Sequence, residues 1–260
     1  MKRIALTRGV SPAIGRCELT YLERVAIDVD RARAQHEEYE RLLAALGCGV
    51  QRIPASPGLP DSVFVEDVAV VVDEVAVLTR PGAESRRLET AAVAERLSAY
   101  RTVATIDAPG TLDGGDVIVA GRDVFVGRGG RSNEDGIAQL RAHLDPFGYR
   151  IVAVAVRGCL HLKSAATLAD ETHVLLNPDW VDPLAFGGLD PIEVDPAEPH
   201  GANVLRVGRT LVCAAAFPRT KKRLERLGLT VRAVDLSELA KAEGAVTCCS
   251  IVFPALPSRI

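Results

Sequence analysis

One pattern recurs along this chain and limits what it can fold into. Two short apolar, β-branched runs flank a tight turn, a helical stretch follows, and a further strand closes the unit. In the clearest copy the strands are 68–72 and 75–79 around Asp73-Glu74, the helix is 85–97 and the closing strand is 102–106. The next copy has strands 117–120 and 124–127 around Gly121-Arg122-Asp123, a helix over 133–147 and a strand over 151–156. Ser132, with Asp135 three residues on, has the spacing of a capping box there. A weaker copy offers strands 165–169, 172–176 and 191–194, with a Pro-containing stretch, 178–186, in place of a good helix. Another is plain: strands 203–207 and 210–214, helix 218–227, strand 230–234.

The remaining copy is split between the two ends of the chain. Strands 250–253 and 4–7 supply its hairpin, 30–46 its helix and 50–53 its closing strand. Ala32, Tyr39, Leu42, Leu43 and Leu46 fall on one helical face, and Gly47 is the stop. Pairing the first segment with the last closes a ring and removes free sheet edges. The expectation is an α/β fold of five ββαβ units around a pseudo-fivefold axis, a five-bladed propeller forming one domain over 1–260. A mixed α+β sheet without rotational symmetry fits the same pattern. Aromatic residues are only 4% of the 260, so Val, Ala and Leu must build the core.

One polar residue stands at the entry to the first strand of each unit: Asp67, Asp113, His161, Asn203 and Cys248, at intervals of 42 to 48 residues. Rotational symmetry would bring these five together near one axis. A thiol, an imidazole and carboxylates in one concave site are what nucleophilic catalysis by cysteine needs. Each also has a plain structural role. A free cysteine is usually a small buried hydrophobe, and Cys249, on the opposite face from Cys248, suits that role. His161 lies among apolar residues, Asp113 before Gly-Gly suits a turn, and Glu66-Asp67 suits a solvated pair. Only convergence explains their shared register.

Other classes find little support. A net charge of −3 gives no basic face for nucleic acid. No apolar run is long enough for a membrane span, and the N-terminal residues lack the apolar stretch of an export signal. The six cysteines form no C-x-x-C pair and are expected as thiols in a cytoplasmic setting. Gly127-Arg128-Gly129-Gly130 lacks the spacing of a dinucleotide loop. Cys159, His161, Asp113 and Cys248 offer metal ligands without common zinc spacing. Neither a cofactor nor a metal is called for, and a homodimer is left open. The aperiodic segment 9–21, with Gly15, is a candidate lid.

Five segments carry a resemblance. Leu59-Pro-Asp-Ser-Val-Phe-Val-Glu-Asp67, Thr79-Arg-Pro-Gly-Ala-Glu-Ser-Arg-Arg87, Thr111-Leu-Asp-Gly-Gly-Asp116, Leu160-His-Leu-Lys-Ser164 and Thr247-Cys-Cys-Ser250 resemble the signature segments of dimethylarginine dimethylaminohydrolases, in order and across nearly the whole chain. The resemblance implies the five-bladed pentein fold. It also implies hydrolysis of free Nω-methylated arginine to citrulline and a methylamine through a covalent S-alkylthiouronium, with a small arginine derivative as the substrate. Cys248 would be the nucleophile, His161 the general acid/base and Asp113 the triad carboxylate. Glu66 and Asp67 would form the acidic pocket, Arg86 and Arg131 would hold the α-carboxylate, and Leu19, Asp61 and Ala242 would complete substrate binding, Leu19 and Asp61 near the α-amino group. Two departures bear on pocket shape: Glu243 stands where family members carry Asp, and 177–191 matches poorly. An arginine deiminase-type activity and a non-catalytic pentein binding module are the alternatives.

Overall fold

Every apolar hairpin read from the sequence becomes an antiparallel strand pair, and a third strand joins parallel to the second. The computed structural model describes residues 2–255. The strands are β1 (Arg3–Arg8), β2 (Cys48–Ile53), β3 (Ala69–Val71), β4 (Val75–Leu78), β5 (Thr102–Thr105), β6 (Val117–Ala120), β7 (Asp123–Arg128), β8 (Arg150–Ala155), β9 (Ala166–Leu168), β10 (His173–Leu176), β11 (Asp190–Glu193), β12 (Val204–Val207), β13 (Thr210–Ala214), β14 (Thr230–Val234) and β15 (Ile251–Pro254). The helices are α1 (Val29–Ala45), α2 (Thr90–Leu97), α3 (Glu134–Leu144), α4 (Leu162–Ala165), α5 (Pro218–Arg226) and α6 (Ser237–Ala240). They assemble into five three-stranded sheets: β15-β1-β2, β3-β4-β5, β6-β7-β8, β9-β10-β11 and β12-β13-β14.

The blade shared by the two ends of the chain closes the ring. β15 runs antiparallel to β1, with Leu6 opposite Ile251 and Arg3 opposite Pro254, and β2 runs parallel on the other side. The first strands of neighbouring blades face one another, β15 with β3, β6 with β9, and β9 with β12. All five first strands line one cavity of about 220 Å³ on the ring axis. The fold is the five-bladed ββαβ ring of the sequence reading, and the mixed sheet without rotational symmetry is excluded.

The core is divided among the blade interfaces. Each apolar cluster joins two adjacent blades, with the helix of the later blade between them. Leu140 and Leu144 of α3, for example, meet Val75 and Val77 of β4 as well as Val124 of β7. This geometry makes the second strand of each blade apolar on both faces, as a strand covered on two sides must be. The third interface has no such helix. Val181 and Phe186 fill its place, the latter at the end of a 3-10 turn, Pro183–Phe186, with its ring 5.0 Å from that of Phe125.

Gly47, at φ 89°, ends α1 as its position in the sequence implies, and Asp28, which the sequence reading left unassigned, caps the first turn. Local signals mislead at α3. Asn133 is the cap, accepting from the Gly136 amide at 2.8 Å, whereas Ser132 is turned inward to Asp116 at 2.6 Å. The buried carboxylate outcompetes the helix end for that hydroxyl. The stretch 85–97 divides into a 3-10 turn, Glu84–Glu89, and α2. No helix among the described residues is long and apolar enough to cross a membrane.

Phe186 substitutes for a whole helix, so Phe186→Ala is expected to lower unfolding stability by about 3–5 kcal/mol. Equilibrium denaturation by urea would measure this.

Candidate active site

Three of the five first strands are entered through a short turn: a 3-10 turn at Val65–Val68, another at Gly114–Asp116, and α4. The turn at Gly114–Asp116 packs against the other two, which brings their polar residues together from different blades. His161, extended just ahead of α4, directs its Nε2 to Asp113 Oδ2 at 3.0 Å. Asp113 is itself fixed: its other oxygen accepts from the Gly82 amide at 2.9 Å, and its backbone N–H donates to Ser132 Oγ at 3.2 Å. On the far edge of the imidazole, Nδ1 lies 3.8 Å from Asp67 Oδ1. Asp67 accepts from the Gly115 amide at 3.1 Å and from Arg86 at 2.5 Å.

The imidazole is therefore wedged between two carboxylates. Burial works against its charge, but Asp67, Asp113 and Asp116 outweigh it and raise the His161 pKa to about 9. Asp67 moves the opposite way. Burial opposes its charge, and His161 and Arg86 more than offset this, holding it below the ordinary carboxylate range. Asp116 sits behind the pair, accepting from the Leu162 amide at 2.9 Å and from Ser132, and burial lifts its pKa to about 6.

Cys248 opens into the same small cavity as His161 and Asp67, about 20 Å³ in volume. Burial, with the Glu66 and Asp67 carboxylates, pushes its thiol up, so it rests protonated at neutral pH. Cys249 points away into the core, fully buried, as a small hydrophobe. Asn203, the polar residue of the fourth repeat, braces the neighbour of Cys248: it donates to Thr247 Oγ1 at 3.0 Å and accepts from the Thr247 amide at 3.1 Å.

Asp61, Arg131 and Ala242 also line the cavity. Three expected positions differ. Glu66 faces the axial cavity instead, where it accepts from Lys163 Nζ and Thr247 Oγ1, each at 2.6 Å. In a 3-10 turn adjacent side chains diverge by about a third of a turn, so Glu66 and Asp67 serve opposite sides of one wall. Leu19 packs against the core cluster beneath α1 and does not line this cavity. Arg86 reaches the cavity, but its guanidinium is turned inward, onto Asp67, onto Glu89 at 2.9 Å and onto the Phe64 carbonyl at 3.0 Å. It is buried and already paired, because Asp67 and Glu89 would otherwise be uncompensated charges.

Sequence reasoning assigned nothing to Asp116 and Lys163, although both lie in the quoted segments. Their partners are in other blades, and no local pattern reports that. Among the described residues, Asp67, Asp113 and His161 have ligand atoms within 4.8 Å of one another, the spacing of a cation site. Cys159 is not with them; its thiol faces the His161 carbonyl at 3.4 Å.

A cavity whose floor carries a thiol, an imidazole and paired carboxylates suits attack on a cationic carbon centre. Known proteins agree with that chemistry. No protein-family model matches the chain. N(G),N(G)-dimethylarginine dimethylaminohydrolase of Streptomyces coelicolor is 43% identical over 250 residues, 95% of either chain. The chain belongs to the dimethylarginine dimethylaminohydrolase family. The Pseudomonas aeruginosa dimethylarginine dimethylaminohydrolase is 34% identical over 228 residues, 87% of this chain and 90% of that one. Its structure as a cysteine-to-serine mutant complexed with citrulline superposes with a TM-score of 0.89 at 31% identity, over 97% of this chain and 98% of that one.

Gly115 lies directly against the imidazole and Asp67 in this dimethylarginine dimethylaminohydrolase site. A Cβ there would fall 2.6 Å from His161 Nδ1 and 2.7 Å from Asp67 Oδ1. Gly115→Ala is expected to lower kcat about a hundredfold by displacing the imidazole. Steady-state kinetics together with an unchanged circular dichroism spectrum would verify it.

Proposed function

We propose that this chain hydrolyses asymmetric dimethylarginine and monomethylarginine to citrulline and a methylamine, with Cys248 as nucleophile, His161 as acid and base, and Asp113 as the residue that orients His161. The observation that carries this reading is the shared cavity of Cys248, His161 and Asp67. Residues 1–260 act as one catalytic domain. All six cysteines are free thiols, which suits a reducing compartment such as the cytosol.

A guanidinium carbon is a poor electrophile, and a resting thiol is a poor nucleophile. The substrate resolves both. Its positive charge, set against Asp67, favours thiolate over thiol at Cys248, and the thiol proton passes to bulk water as the substrate binds. The sulfur attacks the guanidinium carbon, forming a C–S bond and a tetrahedral adduct. His161, still protonated at neutral pH, gives its proton to the methylamine nitrogen as the C–N bond breaks. A planar S-alkylthiouronium remains on Cys248. Water then attacks that carbon, and neutral His161 takes its proton. The C–S bond breaks and the electron pair returns to sulfur, which takes the proton of the hydroxyl as the C=O bond forms, and citrulline is released. Substrate is a cation and the ureido product is neutral, so Asp67 holds the first more strongly than the second.

Arg131 and Asp61 bind the α-carboxylate and α-amino groups. Arg86 contributes by keeping Asp67 ionised and in place. Incubation with asymmetric dimethylarginine, monomethylarginine and arginine, assayed for citrulline and for methylamine against ammonia, tests the substrate and separates it from a deiminase activity. Cys248→Ser is expected to reduce citrulline release at least a thousandfold, to order of magnitude, while binding remains measurable. Turnover retained in that variant would refute the assignment.

The acid role also fixes a pH dependence. His161 must carry its proton, and it loses it as pH rises through about 9. In kcat/KM, which reports free-enzyme ionisations, an alkaline fall is therefore expected near that pH. A profile flat from pH 7 to about pH 10 would refute the role.

A further inference from the structure

We infer that Glu243 is the latch that holds the lid over the active cavity, and so is a positioning residue for the reaction proposed above. The lid expected over 9–21 is corrected, because Val10, Ser11, Ile14 and Cys17 are buried in the core. The lid is the stretch from residue 17 to 28, which has no helix or strand to satisfy its backbone amides. Three of them converge on one side chain. Glu243 Oε1 accepts from the amides of Thr20 at 3.0 Å, Tyr21 at 2.5 Å and Leu22 at 2.7 Å, and Oε2 accepts from Thr20 at 3.1 Å. Asp61 makes a second clamp, taking the Glu18 amide on both oxygens at 3.2 Å. Arg131 adds a bond to Thr20 Oγ1 at 2.9 Å.

The flanks of the tip are tied separately, by Ser85 Oγ to Glu18 at 2.5 Å, by Lys241 Nζ to the Ala26 carbonyl at 3.1 Å and by Leu19 packed on the core. Tyr21 is 56% exposed and Leu22 45%, so apolar burial contributes little there, and the charge-assisted bonds to Glu243 dominate. The backbone supports the same reading. Glu243 sits at φ 58°, the one non-glycine residue of positive φ among those described. That conformation is unfavourable for an L-residue, and it is held here by a side chain aimed at the lid rather than relieved by glycine.

Glu243 also lies five residues before Cys248 on one loop and lines the same cavity as Cys248 and His161. At about 20 Å³ that cavity has room for about a water molecule, so a free amino acid enters only when the lid lifts. The latch therefore ties closure of the lid to the loop that carries the nucleophile.

The test compares the full chain with E243Q, E243D and E243G by steady-state kinetics on asymmetric dimethylarginine and by chymotrypsin cleavage after Tyr21. Gln keeps the size but offers one acceptor oxygen and no charge. E243Q is expected to raise KM about tenfold, with kcat within about twofold, and to speed cleavage at the tip about tenfold. E243G should behave like E243Q although it relieves the backbone, and E243D should fall between E243Q and the unaltered chain. An E243Q variant with unchanged KM and unchanged cleavage overturns the inference, as does recovery of both by E243G. A wild-type chain that forms no citrulline refutes the reaction itself, which is a separate result seen before any variant is compared.

Discussion

An imidazole buried between two carboxylates is the contact on which the rest of this site depends. His161, Asp67 and Asp113 come from three blades, and none is solvated enough to carry charge by itself. Each makes the others tolerable. Asp113 orients the ring, Asp67 stabilises its far edge, and Arg86 with the Gly115 amide keeps Asp67 from collapsing onto His161. Acids outnumber bases in the cavity lining, with Glu18, Asp61, Asp67 and Glu243 against Arg86, Arg131 and His161. A cation entering the cavity relieves that imbalance and an anion would worsen it. Burial, with the Glu66 and Asp67 carboxylates, keeps Cys248 protonated until a cation arrives, so the proposed nucleophile is activated by the molecule it attacks.

The ring exists to hold this contact. Five blades with separate sheets would drift apart if any one were left open, and the blade shared by the two chain ends prevents that. Cores lie at the interfaces between blades rather than inside them, so the position of each entry turn is set by its neighbour. Where the helix fails, in the third interface, Phe186 and Val181 keep the spacing. On the other side of the wall, Lys163 and Thr247 engage Glu66, which separates the axial cavity from the reacting groups.

Much of this was legible from the residues. Apolar hairpins, a helix ended by Gly47 and a polar residue at each first-strand entry mark five units and single out His161, Asp113, Asp67 and Cys248 from residue type and spacing alone. The convergence of Asp67, His161 and Cys248 on one cavity follows from rotational symmetry and needs no local signal. The misreadings share one cause. Ser132 looked like a cap, Glu66 like a twin of Asp67, Arg86 like a clamp for the α-carboxylate and Leu19 like a pocket residue. In each case a partner distant in sequence decided where the side chain turned.

The sequence by itself determined periodicity, the order of elements and the set of groups available for chemistry, because these depend on residue type and spacing along one chain. Only the tertiary structure decided which groups face each other, which charges are compensated and how the lid is fastened. Direction, burial and pairing are properties of neighbours brought together from different blades. A one-dimensional pattern carries no record of whether Glu243 meets the amides of Thr20, Tyr21 and Leu22, more than two hundred residues away.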